Sequence, residues 1–242
     1  MLLMDVARAG AEAYGQVLSG APANRGPRLL AALLAGTALS AAAAPALAQS
    51  VVLQGGYLKI GVNEKGTLGT GGTVRPGILY DGTGSGTFNP DYDYLTPGSP
   101  MEGFVLKGTG SGGAFTATNN NASLGGASIA GSLTSYNGAE YEGTTFDQRV
   151  VWTGTFGTVL TVTHDYHFDE NGQQLSIVTK ITALEDISDL AFVRFTDPDA
   201  IAAPGDSSAT NNFQGSGDIP GTDLIYAEAL VSKYVIGLYS ND

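Results

Sequence analysis

The sequence predicts an all-β protein, an antiparallel β-sandwich, and three observations carry that reading. After residue 50 the apolar residues recur almost entirely with period two, in short runs rich in β-branched and aromatic side chains. Clusters of Gly, Asn, Asp and Pro separate these runs, and no stretch shows the 3.6-residue period of an amphipathic helix. Cysteine is absent, so the fold is held by core burial, with or without a metal, and not by disulfides.

Residues 1–48 read differently. Arg25 and Arg28 precede an apolar stretch, residues 29–44, and Ala46-Leu47-Ala48 supplies the small residues of a processing site. That order is the order of a cleavable secretory signal, with cleavage after Ala48. The alternative is a transmembrane anchor, because residues 29–48 are just long enough to span a bilayer uncut; Gly36, Thr37, Ser40 and Pro45 within them favour the signal. Residues 1–24 are long for a leading region, so translation starts after Met1 or the signal is of the extended kind. Residues 49–242 are then expected to form one domain, delivered to the periplasm, the cell surface or the medium.

Within that domain the expected strands are 51–53, 57–62, 77–80, 103–107, 114–118, 128–136, 146–155, 158–168, 174–184, 190–196, 224–232 and 234–239. The clearest unit is a hairpin. Leu160, Val162, His164, Tyr166 and Phe168 alternate with Thr161, Thr163, Asp165 and His167, which predicts one buried and one wet face. Asp169-Glu170-Asn171-Gly172 reverses the chain, with Asn-Gly expected at positive φ, and Leu175, Ile177 and Ile181 return on the apolar side. Residues 63–75 and 108–127 read as long loops or short irregular strands, and 197–223 as a third long loop. The last apolar run is followed directly by Asn241-Asp242, which suggests that the domain continues further; unpaired, that run would be a bare apolar edge.

Charge narrows the partners. Residues 49–242 hold 8 of the 11 basic residues and 21 of the 23 acidic ones, a net charge of −13. Such a surface repels nucleic acid and anionic lipid, and it keeps an exported protein soluble.

The motifs divide sharply. Gly108-Thr109-Gly110-Ser111-Gly112-Gly113 has the letters of a dinucleotide loop, but a strand pattern follows where that chemistry needs a helix, so no nucleotide is expected. Asp91, Asp93 and Glu102 stand at the first, third and twelfth places of an EF-hand loop, yet Thr96 replaces its glycine and Pro97 and Pro100 break its helix. A looser Ca²⁺ site using Asp81, Asp91 or Asp93 is one candidate. Asp197 and Asp199 form another: alternate residues of an extended segment point the same way, so both carboxylates converge, unless Asp197-Pro198 is simply a turn that ends the strand. His164 and His167 fall on opposite faces of a strand, the first a core residue and the second a surface one, and cannot share a metal. No Gly-x-Ser-x-Gly elbow and no cysteine nucleophile exist. Carboxylate pairs for glycoside cleavage can be drawn from Glu140, Glu142, Asp147, Asp165 and Asp169, and Trp152, Tyr141 and Tyr136 either stack on sugar or fill the core.

The succession Trp152-Thr153-Gly154, His164-Asp165-Tyr166, the Asp169–Gly172 turn, residues 175–182 and Val193-Arg194-Phe195-Thr196-Asp197-Pro198-Asp199 resembles galactose-mutarotase-like supersandwich domains. The resemblance implies a supersandwich-like fold and a His and Glu constellation for sugar ring opening, to which no residue here is assigned. A long signal followed by Gly-, Thr- and Asn-rich β structure is also similar to the N-terminal parts of exported Gram-negative surface proteins, autotransporter passengers included; that would imply a C-terminal membrane barrel.

The expected function is therefore an exported or surface-displayed module with a structural, adhesive or ligand-binding role and no catalysis. The alternative is a carbohydrate-active or carbohydrate-binding domain using Trp152, Glu142, Asp165 and His167. Calcium, on Asp197 and Asp199 or on Asp91 and Asp93, is the one cofactor considered. The expected partner is a glycan or another surface molecule, and the membrane is met only through the signal.

Overall fold

The computed structural model describes residues 2–7, 50–69, 76–95, 101–121, 129–215 and 222–241. In chain order the strands are β1 (Leu2–Ala7), β2 (Ser50–Gln54), β3 (Leu58–Asn63), β4 (Ile78–Tyr80), β5 (Met101–Gly110), β6 (Gly113–Asn120), β7 (Ala130–Ser135) and β8 (Glu140–Tyr141). They continue with β9 (Thr144–Thr145), β10 (Gln148–Phe156), β11 (Leu160–Phe168), β12 (Gln174–Ala183), β13 (Ser188–Asp197), β14 (Thr210–Gly215), β15 (Thr222–Ala229) and β16 (Val235–Asn241). The fold is all-β, as the periodicity predicts. The apolar stretch 29–44 and the processing site at Ala48 lie outside the described residues.

An eight-stranded sheet runs β14-β15-β16-β1-β12-β11-β10-β7, beside smaller sheets β13-β5-β6, β2-β3-β4 and β8-β9. Its pairs are antiparallel except that β1 lies parallel to both β12 and β16. The sheets are open, and they pack face to face. Phe104 of β5 meets the His164 ring of β11 at 4.4 Å and the Trp152 ring of β10 at 5.7 Å between centroids. Leu53, Ile60, Phe104, Trp152, Val162, Ile177 and Ile236 belong to one core cluster drawn from the three largest sheets.

The 160–168 hairpin forms as expected on its inner face, where Leu160, Val162, His164 and Tyr166 are wholly buried. Its turn differs. The Gly172 amide donates to the Asp169 carbonyl at 2.7 Å, and neither Asn171 nor Gly172 has positive φ. The turn is instead pinned from outside: the Gly56 amide donates to the Glu170 carbonyl at 2.7 Å, and the Glu170 amide to Asp147 at 3.0 Å. The expected glycine-rich loop at 108–113 is a tight hairpin between β5 and β6, in register down to Gly110 and Gly113. The stretch 197–223, expected as a loop, contains β14. The final run is no bare edge, since β16 has β15 on one side and β1 on the other.

Two constructions fix the core. First, Trp152 lies flat across the β7–β10 ladder, where Gly131 and Gly154 face each other. A Cβ on either glycine, or on Gly66 above the ring at φ +69, would come within 3.0 Å of the indole. The indole Nε1 donates to the Glu64 carbonyl at 2.8 Å, so the plate is held at its edge as well as on both faces.

Second, Glu102 of β5 and Arg194 of β13 form a 2.6 Å ion pair with side chains 1% and 2% exposed. Glu102 is opposite Thr196 and Arg194 opposite Phe104, so the two are diagonal neighbours on one face. Glu102 Oε2 also accepts the Leu68 amide at 2.6 Å, and Arg194 Nη2 donates to the Tyr166 hydroxyl at 3.0 Å, which in turn donates to the Gly66 carbonyl at 2.7 Å. Burial pushes the Glu102 carboxyl up, against the pull of Arg194 and the Leu68 amide. Burial and the nearby Arg194 charge hold His164 well below the usual histidine range, so its ring is neutral.

Two outcomes are expected. Gly131→Ala and Gly154→Ala each cost about 1–3 kcal/mol by overpacking, although alanine in a strand ordinarily gains on glycine; Gly112→Ala, whose Cβ meets nothing within 4 Å, is the neutral control in urea unfolding. Arg194→Met leaves Glu102 buried and alone, and costs about 3–5 kcal/mol; Arg194→Met with Glu102→Gln recovers part of that loss in the same assay.

Candidate ligand-binding cleft

The sugar-binding set expected from sequence is only partly assembled, and all of it but Glu142 is enclosed. On the outer face of β10 and β11, Arg149 Nε reaches both oxygens of Asp165 at 3.0 Å and its Nη2 reaches Oδ2 at 2.6 Å. His167 Nδ1 lies 3.2 Å from Asp165 Oδ1. Burial alone would raise the Asp165 carboxyl, but its bonds from His167 and Arg149 hold it below the usual carboxylate range. The β8–β9 hairpin folds over this group: Tyr141 and Phe146 pack at a tilt on the His167 ring, with centroids at 5.2 and 4.1 Å, and the Arg149 guanidinium lies over the Tyr136 and Tyr141 rings. His167 is therefore not a surface residue; it is 5% exposed. Glu142 stands exposed in the hairpin turn at φ 49. Trp152, 0% exposed and on the opposite face, has no ring surface to offer a sugar. The group clasps a hairpin to the sheet.

The metal candidates separate as well. Asp93 is buried and accepts the amides of Gly77, Ile78 and Leu95 at 2.8–3.1 Å, which makes it the knot of a turn. Asp81 is tied by Thr83 and Ser85, and Asp91 is exposed. Glu102 is consumed by Arg194. Burial first and the Asp197 charge second push the Asp199 carboxyl up to about 6. Among the described residues, however, no group of three or more His, Cys, Asp or Glu side chains is placed to hold a metal ion.

An open site lies where β13 ends. Thr196, Asp197 and Pro198 face the end of the large sheet across a cleft of about 410 Å³. Three strands build its floor in register. Asn212, Ala227 and Ile236 form one row, and Gln214, Ile225 and Leu238 another; with period-two alternation both rows present side chains on one face. Ile225 is 51% exposed, whereas Ala227, Ile236 and Leu238 run into the core. The intervening row, Phe213, Tyr226 and Gly237, also borders the cleft; by the same alternation its side chains belong to the other face, where the Phe213 and Tyr226 rings stack at 4.9 Å. The lining thus combines an aliphatic floor, two amides and a carboxylate. Among the described residues no cationic side chain lines it, and this suits a neutral or cationic ligand over an anionic one.

Sequence reading located one wall, Asp197, and missed the floor. Asn212-Phe213-Gln214 has little β propensity and no apolar alternation, so β14 had no local signal. The exposed Ile225 inside an otherwise good strand pattern was the one trace available. Neither a family model, nor a curated protein, nor a solved structure matches the chain.

Asp199 carries a pH dependence with a definite sign. Its folded pKa of about 6 exceeds the unfolded value, so it favours the folded state below pH 4 and loses that contribution as pH rises to 6. Asp199→Asn is expected to flatten the stability profile between pH 4 and 6 and to raise stability at pH 7 by no more than about 1 kcal/mol, since solvent screens the pair. Thermal unfolding across that range checks it.

Proposed function

We propose that this chain is an exported or surface-displayed β-sandwich module that binds carbohydrate without transforming it. The cleft at the end of β13 carries the reading. An aliphatic floor accepts the C–H face of a sugar ring, while Asp197, Asn212 and Gln214 offer the acceptors and donors that hydroxyl groups need. Its volume is within the range of small-ligand pockets. Glycan binding by a module with a net charge of −13 also fits the absence of cations from the lining. Catalysis is not part of the proposal, because none of the lining residues provides a nucleophile with an adjacent base. The supersandwich-like succession of strands in the sequence points to the same ligand class.

A second reading rests on Phe213. It is 43% exposed and backed by Tyr226, a platform on which a sugar could stack from the opposite face.

Arrayed neutral glycans separate the two. Cleft binding predicts that Asp197→Ala and Ile225→Asp each weaken the best glycan at least tenfold, about 1.4 kcal/mol, with Phe213→Ala unaffected. The reverse pattern moves the site to the aromatic face. An array with no glycan signal from the wild-type protein would remove the carbohydrate reading.

A further inference from the structure

The large sheet depends on a strand from the segment that the sequence marks for removal. β1 pairs with residues 174–178 of β12 and with residues 236–239 of β16. β12 and β16 have no ladder with each other; β1 stands between them. Without it, the sheet divides into β14-β15-β16 and β12-β11-β10-β7, with a gap one strand wide.

Both walls of that gap are anchored independently of β1. On one side β12 is laddered to β11 from Ser176 to Ala183, with Leu175 and Ile177 wholly buried. On the other, Asp206 accepts the amides of Val231 and Ser232 with one oxygen and those of Ala202 and Ala203 with the other. This ties the β15–β16 turn to the preceding loop. Tyr234 packs edge-on against Tyr80 at 6.2 Å, and Ala227, Ala229, Ile236 and Leu238 are held in the core. A bond from the Gln174 side chain to the Tyr239 hydroxyl crosses the gap. Walls held in this way stay apart when the strand leaves, and they expose two rows of backbone donors and acceptors facing each other.

We infer that the gap between β12 and β16 is a strand-acceptor slot, filled by Leu2–Ala7 in the precursor and opened by signal removal. Leu2–Ala7 enters parallel to both walls and is bound through its backbone, as in other cases of strand addition. The leader acts as a cap on this surface until processing. This rests on the export reading, but not on the carbohydrate one.

The test uses the full chain with a specific protease site placed after Ala48. Amide hydrogen exchange is followed at residues 174–178 and 236–239 before cutting, after removal of the N-terminal fragment, and after addition of a synthetic peptide of residues 1–8. The expected result is at least a tenfold loss of protection at those two segments on removal, with β10 and β11 unchanged, and recovery with the peptide. Peptides with Asp5→Pro or Val6→Pro each restore one wall less well than the other, because successive residues of a strand between two parallel neighbours bond to alternate sides and proline lacks one donor. Unchanged exchange after removal overturns the slot. So does loss of protection throughout the domain, which would make Leu2–Ala7 an integral strand, and so does a peptide that restores neither wall. N-terminal sequencing of the protein recovered from cells tests processing separately, and the glycan array is independent of both.

Discussion

Burying Glu102 against Arg194 constrains more of this molecule than any other contact. An unpaired charge at either position would be costly, so β5 and β13 have to align with the two on the same face and one step apart. A slip of one residue would send one charge to the opposite face and leave both alone. The remaining bonds of the pair reach outward, to the Leu68 amide and to Tyr166 on the large sheet. The smaller sheet, the 64–68 turn and the large sheet are thus tied through one ion pair. The register also decides where β13 runs out, and hence that Asp197 emerges at the cleft.

What could be read from sequence and what could not follows from the range of the interactions. Period-two alternation is local, and it located the 160–168 hairpin with the correct inward residues. The Asn171-Gly172 turn had the right place but the wrong backbone, because contacts from Gly56 and Asp147, far away in the chain, hold the turn in another conformation. The outer face of β11 was expected to be wet. It is dry at Asp165 and His167 because the short β8–β9 hairpin covers them, and two-residue strands leave no periodic trace. Arg194 was visible as a charge within an apolar strand, yet nothing nearby named Glu102 as its partner.

The candidate site was less legible than the fold for the same reason. A cleft formed by the end of one sheet and three strands of another depends on register across β14, β15 and β16, and β14 has almost no propensity of its own. The acidic pair at 197 and 199 announced itself by spacing alone. Its surroundings, aliphatic and amide with no third carboxylate among the described residues, shift the reading from cation to neutral ligand.

Trp152 is the only tryptophan in the chain, and it lies between glycines in the core, 5.3 Å from the neutral His164 ring and nearly parallel to it. Its fluorescence therefore comes from a single, dry and crowded position where both layers meet. Emission from this one residue reports whether the layers are together. The protein carries its own optical gauge of sheet separation, with no label to add and no second emitter of the same kind to subtract.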